Sequence, residues 1–340
     1  MPVSGGLAPS LGSAAYNELT ALTRRAFIPT LVMQFGAATP FLAMAMNNAQ
    51  RAAGGMSQIT QPVQGTPYTS AQYMGYDGSF NQPSDTAASQ NAEFNLSVIG
   101  VPISFMGMEA IIQSSEVVIP RLKARMHDSL FTLKQFYSQQ VFANNSANPL
   151  SINGLAQAYD DGTNVTTYGG ISRSNASNAF WKSTLKTSVG NVLTRVKFIP
   201  YIVQLSTTLA GGEAPDMVIM SPSDWTTLLT DYMTSESFRT MPNSQYGADN
   251  VINAGFRGLM LGDTPIFADP WCPKGTAYMI NSKYFAMHIS EDAAFAFSGF
   301  YSQIPNLSIN QTGLLMLASQ LVCTKPSSGL QLTGITGGAF

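Results

Sequence analysis

Apolar positions along this chain change their period several times, and each change predicts an element. From Ser115 to Phe142, the residues Val118, Leu122, Met126, Leu130, Leu133, Tyr137 and Val141 recur at spacings of four or three, the stripe of one long helix. Arg121, Lys123, Arg125 and Lys134 lie off that stripe, and Pro120 fits a first turn beginning near Ile119. Upstream the period is two. Phe94, Leu96 and Val98 put even positions on one face; Ile99, Val101, Ile103 and Phe105 then hand it to odd positions. Such a switch predicts a bulge or a change in which face is covered. Further on, residues 201–210 read as a helix stopped by Gly211-Gly212, and Met217–Met220 as a short strand. The strand runs into Ser221-Pro222-Ser223-Asp224, a helix start with Ser221 as cap and proline at the first helical position. Leu259 to Ala268 and Thr276 to Phe285 read as β segments flanking a turn at Pro273-Lys274-Gly275.

Between these elements the chain is irregular. Residues 1–20 are small and polar, an arm. Residues 22–45 are apolar and read as one or two short helices broken at Gly36 and Pro40. From Gly54 to Asn91 the sequence is Gly, Ser, Thr, Gln, Pro and tyrosine with almost no aliphatic residue. That is too long for an idle connection in a compact domain. Residues 143–155 read as a linker and a domain boundary, followed by a Gly- and Asn-rich region that includes 168–181.

Composition changes the picture at one point. Hydrophobic content is an ordinary 45%, but only 11% of residues are charged, against roughly a quarter in typical soluble domains. A subunit covered by neighbours needs few surface charges; a secreted protein with a polar surface is the alternative. The net charge of −2 does not suit a dedicated nucleic-acid binder. Residues 115–200 nevertheless carry nine Lys or Arg against four acids, a mildly basic middle, while 201–340 carry five against ten.

Candidate chemistry is sparse. Arg24-Arg25, a following apolar stretch and Ala43-Met44-Ala45 stand in the order of a twin-arginine export signal. That stretch contains Pro29, Gln34, Gly36 and Pro40, so no uninterrupted transmembrane helix is evident. Ser221 has no G-x-S-x-G around it, and capping accounts for it. Cys272 lies in a Trp-Cys-Pro turn with nothing local to activate it towards His288, and pairing with Cys323 stays open. His127, Cys272, His288 and Cys323 are too scattered for zinc, and Asp160-Asp161 reads as a solvated loop before a weak cation site. The sequence offers no catalytic residue, metal or cofactor.

Three segments together carry a resemblance. "TYGGISRSNASNAFW" (167–181), "APDMVIMSPSDWTTL" (214–228) and "GFRGLMLGDTPIFADPWCPKGTAYMINSKYF" (255–285) resemble, in that order, blocks of the major capsid proteins of tailed bacteriophages. The resemblance implies an α+β Hong Kong 97-type capsid fold. Its parts would be an N-terminal arm and short apolar helix (1–40), an extended β-hairpin loop (54–100), and a peripheral domain with a long spine helix (101–153, helix about 115–142). C-terminal strands would complete that domain, and an axial domain would span 154–300. It implies a non-enzymatic head subunit that self-assembles as hexamers and pentamers into an icosahedral shell around double-stranded DNA. The shell would be put together in the host bacterial cytoplasm with no membrane. A separate scaffolding protein, a portal and a decoration protein are the further partners expected.

On this reading Arg24, Arg25, Arg121, Lys123 and Arg125 are candidates for generic contact with DNA phosphates. Tyr68, Tyr73, Tyr76 and Phe80 are candidate anchors of the extended loop on a neighbouring subunit. Cross-linking through a loop lysine, as the best-known member does, is not expected, because no Lys or Arg lies between Arg51 and Arg121. An encapsulin-like nanocompartment shell is the alternative within the fold, and an exported periplasmic protein the alternative outside it.

Overall fold

The computed structural model describes residues 39–52, 57–65, 73, 74, 76, 78, 89–105, 115–144, 148–187, 189, 190, 193–209, 213–235, 259–261, 264–302 and 311–336. The arm, Arg24, Arg25, Tyr68 and Phe80 lie outside them. In chain order come α1 (Pro40–Asn47), β1 (Gln50–Ala52), β2 (Gln58–Gln64), β3 (Ser89–Asn95), β4 (Ser97–Phe105) and α2 (Ser115–Val141). The single turn α3 (Leu155–Ala158) precedes β5 (Thr167–Tyr168), β6 (Ile171–Ser172), β7 (Thr184–Lys186) and α4 (Arg195–Gln204). Then follow β8 (Met217–Met220), α5 (Pro222–Ser235), β9 (Leu259–Leu261), β10 (Thr264–Ala268) and β11 (Ala277–Ile280). The last strands are β12 (Phe285–Ser290), β13 (Ala296–Ser302), β14 (Gln311–Cys323) and β15 (Leu330–Leu332).

Two larger sheets organise the chain. In the first, β14 is central: β4 pairs antiparallel along one edge from Gln311 to Ser319, and β13 and β12 share the other. β1 adds parallel to β12. Along β14 burial alternates at Gly313, Leu315 and Leu317 and then becomes continuous to Cys323, so its first half has one open face and its second half none. The spine helix α2 buries Met126, Leu133, Tyr137 and Val141 of the predicted stripe, and the Ser319 hydroxyl meets Tyr137 Oη at 3.4 Å.

The second sheet runs β7-β15-β11-β8-β10-β9. Every residue of β8 is buried because the sheet is covered on both faces. Met217 and Ile219 point with Phe267, Tyr278 and Ile280 into the core shared with α2 and the first sheet. Val218 and Met220 point with Ile266, Ala277 and Met279 into a second core, closed by Phe198 and Leu205 around α4 and by Leu228 of α5. Ser221 caps α5 as expected: its Oγ accepts from Asp224 N at 3.3 Å and donates to Asp224 Oδ2 at 2.6 Å.

Several expectations change. The switch of period near Leu96 is a change in which face is covered and not a bulge: Ala92 and Phe94 are buried before it, Ser97 and Ile103 after it, and it falls where the chain changes sheet. β3 ends at Asn95 in a two-stranded ribbon with β2, and β4 begins at Ser97 in the first sheet. The helix expected at 201–210 begins six residues earlier, at Arg195, and carries Pro200 inside it. A proline normally marks a boundary, so the period was legible only after it. The stretch read as a linker at 143–155 ends in buried residues, Ile152, Asn153, Gly154 and Leu155. Asn153 N donates to Gln320 Oε1 at 2.8 Å, and a Cβ on Gly154 would collide with the Ala143 carbonyl at the end of the spine helix. By sheet membership, β12 and β13 belong with β4 and β14, although they fall within 154–300.

Candidate assembly interface

The hairpin of β2 and β3 is open along most of its length. Its strands pair in register from Gln58↔Asn95 to Gln64↔Ser89. Only the end near the body is buried, through Ile59, Ala92 and Phe94. The root is fixed on the Tyr168–Arg173 block. Gly169 and Gly170 form the two-residue turn between β5 and β6, both with positive φ, +55° and +74°. The Gly169 carbonyl accepts from Glu93 N at 2.9 Å. A Cβ on Gly169 would lie 2.7 Å from Phe94 Cζ. Phe94 in turn meets Tyr168 edge-on at 5.2 Å. Gln90 Nε2 donates to Asn178 Oδ1, and Asn178 Nδ2 donates to the Ser172 carbonyl.

Beneath this turn sits Arg173, with no exposed surface. Its Nε donates to the Trp181 carbonyl at 3.1 Å, and its two terminal nitrogens donate to Gln157 and Ala158 carbonyls at 2.8 and 2.7 Å. Those last two carbonyls belong to the end of the single turn α3, and the guanidinium also lies 5.0 Å from the Tyr168 ring. Burial lowers the Arg173 pKa and raises that of Tyr168. Cys323 N donates to Tyr168 Oη at 3.0 Å, tying the block to the end of β14. The conspicuous Gly-Gly-Ile-Ser-Arg run thus bolts the hairpin to the body.

The other two blocks of the resemblance are also joints. Asp216 accepts from Ser282 N at 2.9 and 3.0 Å where the chain crosses from β11 to β12. Asn281 Nδ2 donates to the Ala214 carbonyl at 3.3 Å and to Glu213 Oε2 at 3.4 Å. Glu213 accepts from the Tyr284 hydroxyl and lies 3.8 Å from both Lys283 and Lys325 Nζ. The tyrosine's hydrogen bond, ahead of the lysines, lowers the Glu213 pKa. Sequence reasoning missed this cluster because its members come from segments far apart.

Chemistry read from single residues resolves similarly. Asp160 is buried, and its carboxylate accepts from the backbone of Gly162, Asn164 and Val165 and from the Asn164 side chain. It organises its own loop and is not a solvated residue. Cys272 and Cys323 are both buried, and both thiols are free. Burial raises both, Cys323 to about 12. Among the described residues no cluster of His, Cys, Asp or Glu could hold a metal ion. No described helix is long and apolar enough to cross a membrane.

Of the proposed anchors, Tyr73 and Tyr76, which lie between β2 and β3 in sequence, are fully exposed, and Met74 is exposed as well. Of the proposed DNA-facing charges, Arg121 and Lys123 stand on α2, and Arg125 is half-buried with Nη1 donating to the Ser104 carbonyl of β4 at 3.0 Å. An apolar surface that the sequence reading passed over lies on α4, where Val196, Ile199 and Val203 are 76%, 44% and 51% exposed. Its signal was an apolar residue on nearly every side of a short helix, which Pro200 obscured.

No family model matches the sequence, and no curated protein matches it. Solved structures do match. A chain of the cyanophage A-1(L) capsid asymmetric unit aligns with a TM-score of 0.65 at 15% identity, covering 88% of this chain and 94% of that one. A chain of Mycobacterium phage Adephagia gives 0.51 at 13% identity, over 86% and 90%. A chain from the capsid of a native GTA particle gives 0.51 at 9% identity, over 86% and 90%. At these identities the likeness is one of fold. This chain is a mixed helix-and-sheet protein with the fold of phage capsid subunits.

Proposed function

We propose that this chain is the major head protein of a tailed bacteriophage, a Hong Kong 97-type subunit that assembles into an icosahedral shell around double-stranded DNA. The observation that carries the reading is the near full-length fold match to a phage capsid chain. The arm and apolar helix are assigned to residues 1–40, the extended loop to 54–100, the peripheral domain to 101–153 with the C-terminal strands, and the axial domain to 154–300. The low charge of the chain, 11%, then follows from surfaces covered by neighbours. A two-stranded ribbon is marginal by itself in water, so β2 and β3 are read as reaching across a neighbouring subunit, with Tyr68, Tyr73, Tyr76 and Phe80 as its anchors. Contact with DNA is assigned to Arg24, Arg25, Arg121, Lys123 and Arg125, and it reads phosphates and not bases. Scaffolding, portal and decoration proteins are separate chains on this reading, and the virion is where the protein acts.

The export reading has an argument against it. Ala43, Met44 and Ala45 sit buried in α1, whose Phe41 packs edge-on against Phe285 at 5.8 Å. Cleavage after Ala45 would remove a helix that fills the core. Negative-stain microscopy of the purified chain tests the proposal. Polyhedral shells, or rings of five or six copies, are expected. Small uniform cages around a protein cargo would move the reading to a nanocompartment. Monomers at every concentration, starting after Ala45, would overturn it.

A further inference from the structure

We infer that the chain carries a self-cleavage site at the Asp269–Pro270 peptide bond, where the Asp269 carboxyl attacks its own backbone carbonyl carbon and releases the Pro270 nitrogen. This does not depend on self-assembly. Asp269-Pro270 is the one Asp-Pro pair in the sequence. An aspartate side chain reaches its own carbonyl carbon through a five-membered ring, and a reaction within such a ring runs at a high effective concentration. Proline makes the bond weaker still, because its nitrogen leaves as a basic secondary amine. The turn after β10 arranges the parts. Asp269 N donates to the Met220 carbonyl at 3.0 Å, fixing the residue at the end of the strand. The carbonyl under attack accepts from Cys272 N at 3.1 Å, so a donor already faces the oxygen on which negative charge gathers. Oδ1 accepts from Trp271 N at 3.0 Å, whereas Oδ2 is buried with no partner. The two hydrogen bonds alone would make an ordinary turn. A turn does not need the unpartnered oxygen, and Pro270 is exposed, so water reaches the leaving nitrogen.

The neutral carboxyl is the reactive form. One of its oxygens bonds to the Asp269 carbonyl carbon, the C–N bond to Pro270 breaks, and the carboxyl proton passes to the proline nitrogen. The product is a cyclic anhydride at Asp269, which one water molecule opens to two carboxyls. The other titratable groups round the turn are Asp224, Cys272, Lys274 and Tyr278. Asp224 accepts from the Ser221 hydroxyl and from Gly275 N, and the Cys272 thiol donates to the Thr276 carbonyl. Burial keeps Cys272 and Tyr278 protonated, and Lys274 is exposed. Desolvation raises the Asp269 pKa from 3.8 to about 6, so near pH 5.5 the folded chain holds a proton that the unfolded chain has lost. At that pH the reactive fraction is larger in the folded chain by a factor of roughly forty. A cut here would not part the molecule. β11, β12, β14 and β15 follow it and pair with β8, β1, β4 and β7, which precede it.

The test incubates the full chain near pH 5.5 with protease inhibitors, folded in one sample and unfolded in urea in another, and reads intact masses after denaturation. Fragments 1–269 and 270–340 should form from the folded chain at least about tenfold faster than from the unfolded chain. The folded rate should fall as pH rises past about 6, and the nicked protein should elute from a sizing column as the intact one does. Pro270→Ala loses the secondary amine, and Asp269→Glu enlarges the ring to six members. Each should slow the cut at least about tenfold while keeping the wild-type circular dichroism. A folded chain that stays intact, or is cut no faster than the unfolded one, would overturn the inference. So would a cut at the same bond that persists at the wild-type rate in Pro270→Ala. If the variants misfold, the ratio of folded to unfolded rates in the wild type decides alone.

Discussion

The Arg173 block and the hairpin it supports lie side by side and follow opposite rules. Around Arg173 the guanidinium and the neighbouring ring groups have partners within the chain: three carbonyls for the guanidinium, a carbonyl for the Trp181 indole, an amide for the Tyr168 hydroxyl; the buried Gln157 Oε1 is the exception. The hairpin keeps a buried root and little else, and Tyr73 and Tyr76, between its strands in sequence, are fully exposed. One region is complete in a single copy and the other is not. The proposed function calls for both: a rigid socket that fixes direction, and an arm whose surface would stay unspent until a neighbour arrives.

Removing the buried cation should break the comparison most severely. Arg173→Met leaves three carbonyls without donors in a site closed to water. Losing one partner of a buried charged network costs about 3–5 kcal/mol. We expect a fall in Tm on the order of 10 °C, or insoluble protein. A Tm within a few degrees of wild type would mean that water reaches the carbonyls.

Next comes the joint between the two regions. Phe94→Ala should cost about 3 kcal/mol through the cavity at the root and should speed proteolysis in the hairpin ahead of the body. Gly169→Ala should also destabilise, since its Cβ meets Phe94 and its φ is +55°. The two together should cost less than their sum, because shortening Phe94 relieves the clash. Strict additivity would show that the ring and the turn are not in contact.

A smaller effect probes the closed side of the molecule elsewhere. Asp269 is fully buried; Oδ1 accepts from Trp271 N at 3.0 Å, while Oδ2 has no partner. Desolvation raises its pKa from 3.8 to about 6. The native state thus holds this proton more tightly than the unfolded chain. Its contribution is neutral below about pH 4, grows unfavourable as pH rises to about 6, and is constant above. Asp269→Asn keeps the acceptor for Trp271 and removes the charge. It should raise stability at pH 7 by at most about 3 kcal/mol, less the cost of burying the new amide where Oδ2 has no partner, and flatten this slope. Denaturant unfolding at pH 4.5 and 7 would check both, and an unchanged slope would assign the pH dependence to other groups.

Legibility in the sequence followed the same divide. The spine helix was readable because one face meets solvent, so the period of its apolar residues survives. β8 was readable as a continuous apolar run, although not the fact that its two faces serve different cores. Pro200 hid the first half of α4, and with it the exposed stripe. The resemblance blocks were visible as letters, but their roles as joints were not. Arg173 satisfies itself on backbone carbonyls, which leave no trace in side-chain identity. Asp216 and Glu213 meet residues nearly seventy positions away, beyond any local pattern.

The smallest effect on the isolated subunit sharpens the comparison from the open side. Tyr73 and Tyr76 are fully exposed, so replacing both with serine removes no contact within the copy and should leave the subunit Tm unchanged. On the proposed function the same rings would be anchors in assembled particles, each able to bury its face against a neighbour at low entropic cost. The double variant should therefore show normal subunits but shells that dissociate at lower denaturant concentration than wild-type shells. Limited proteolysis provides a second reading, since the 54–91 segment should be cut at similar rates in variant and wild-type subunits and faster in variant shells. Equal behaviour of the two shells would mean that the tyrosines stay in solvent after assembly, and that the hairpin docks through its strands instead of its tip.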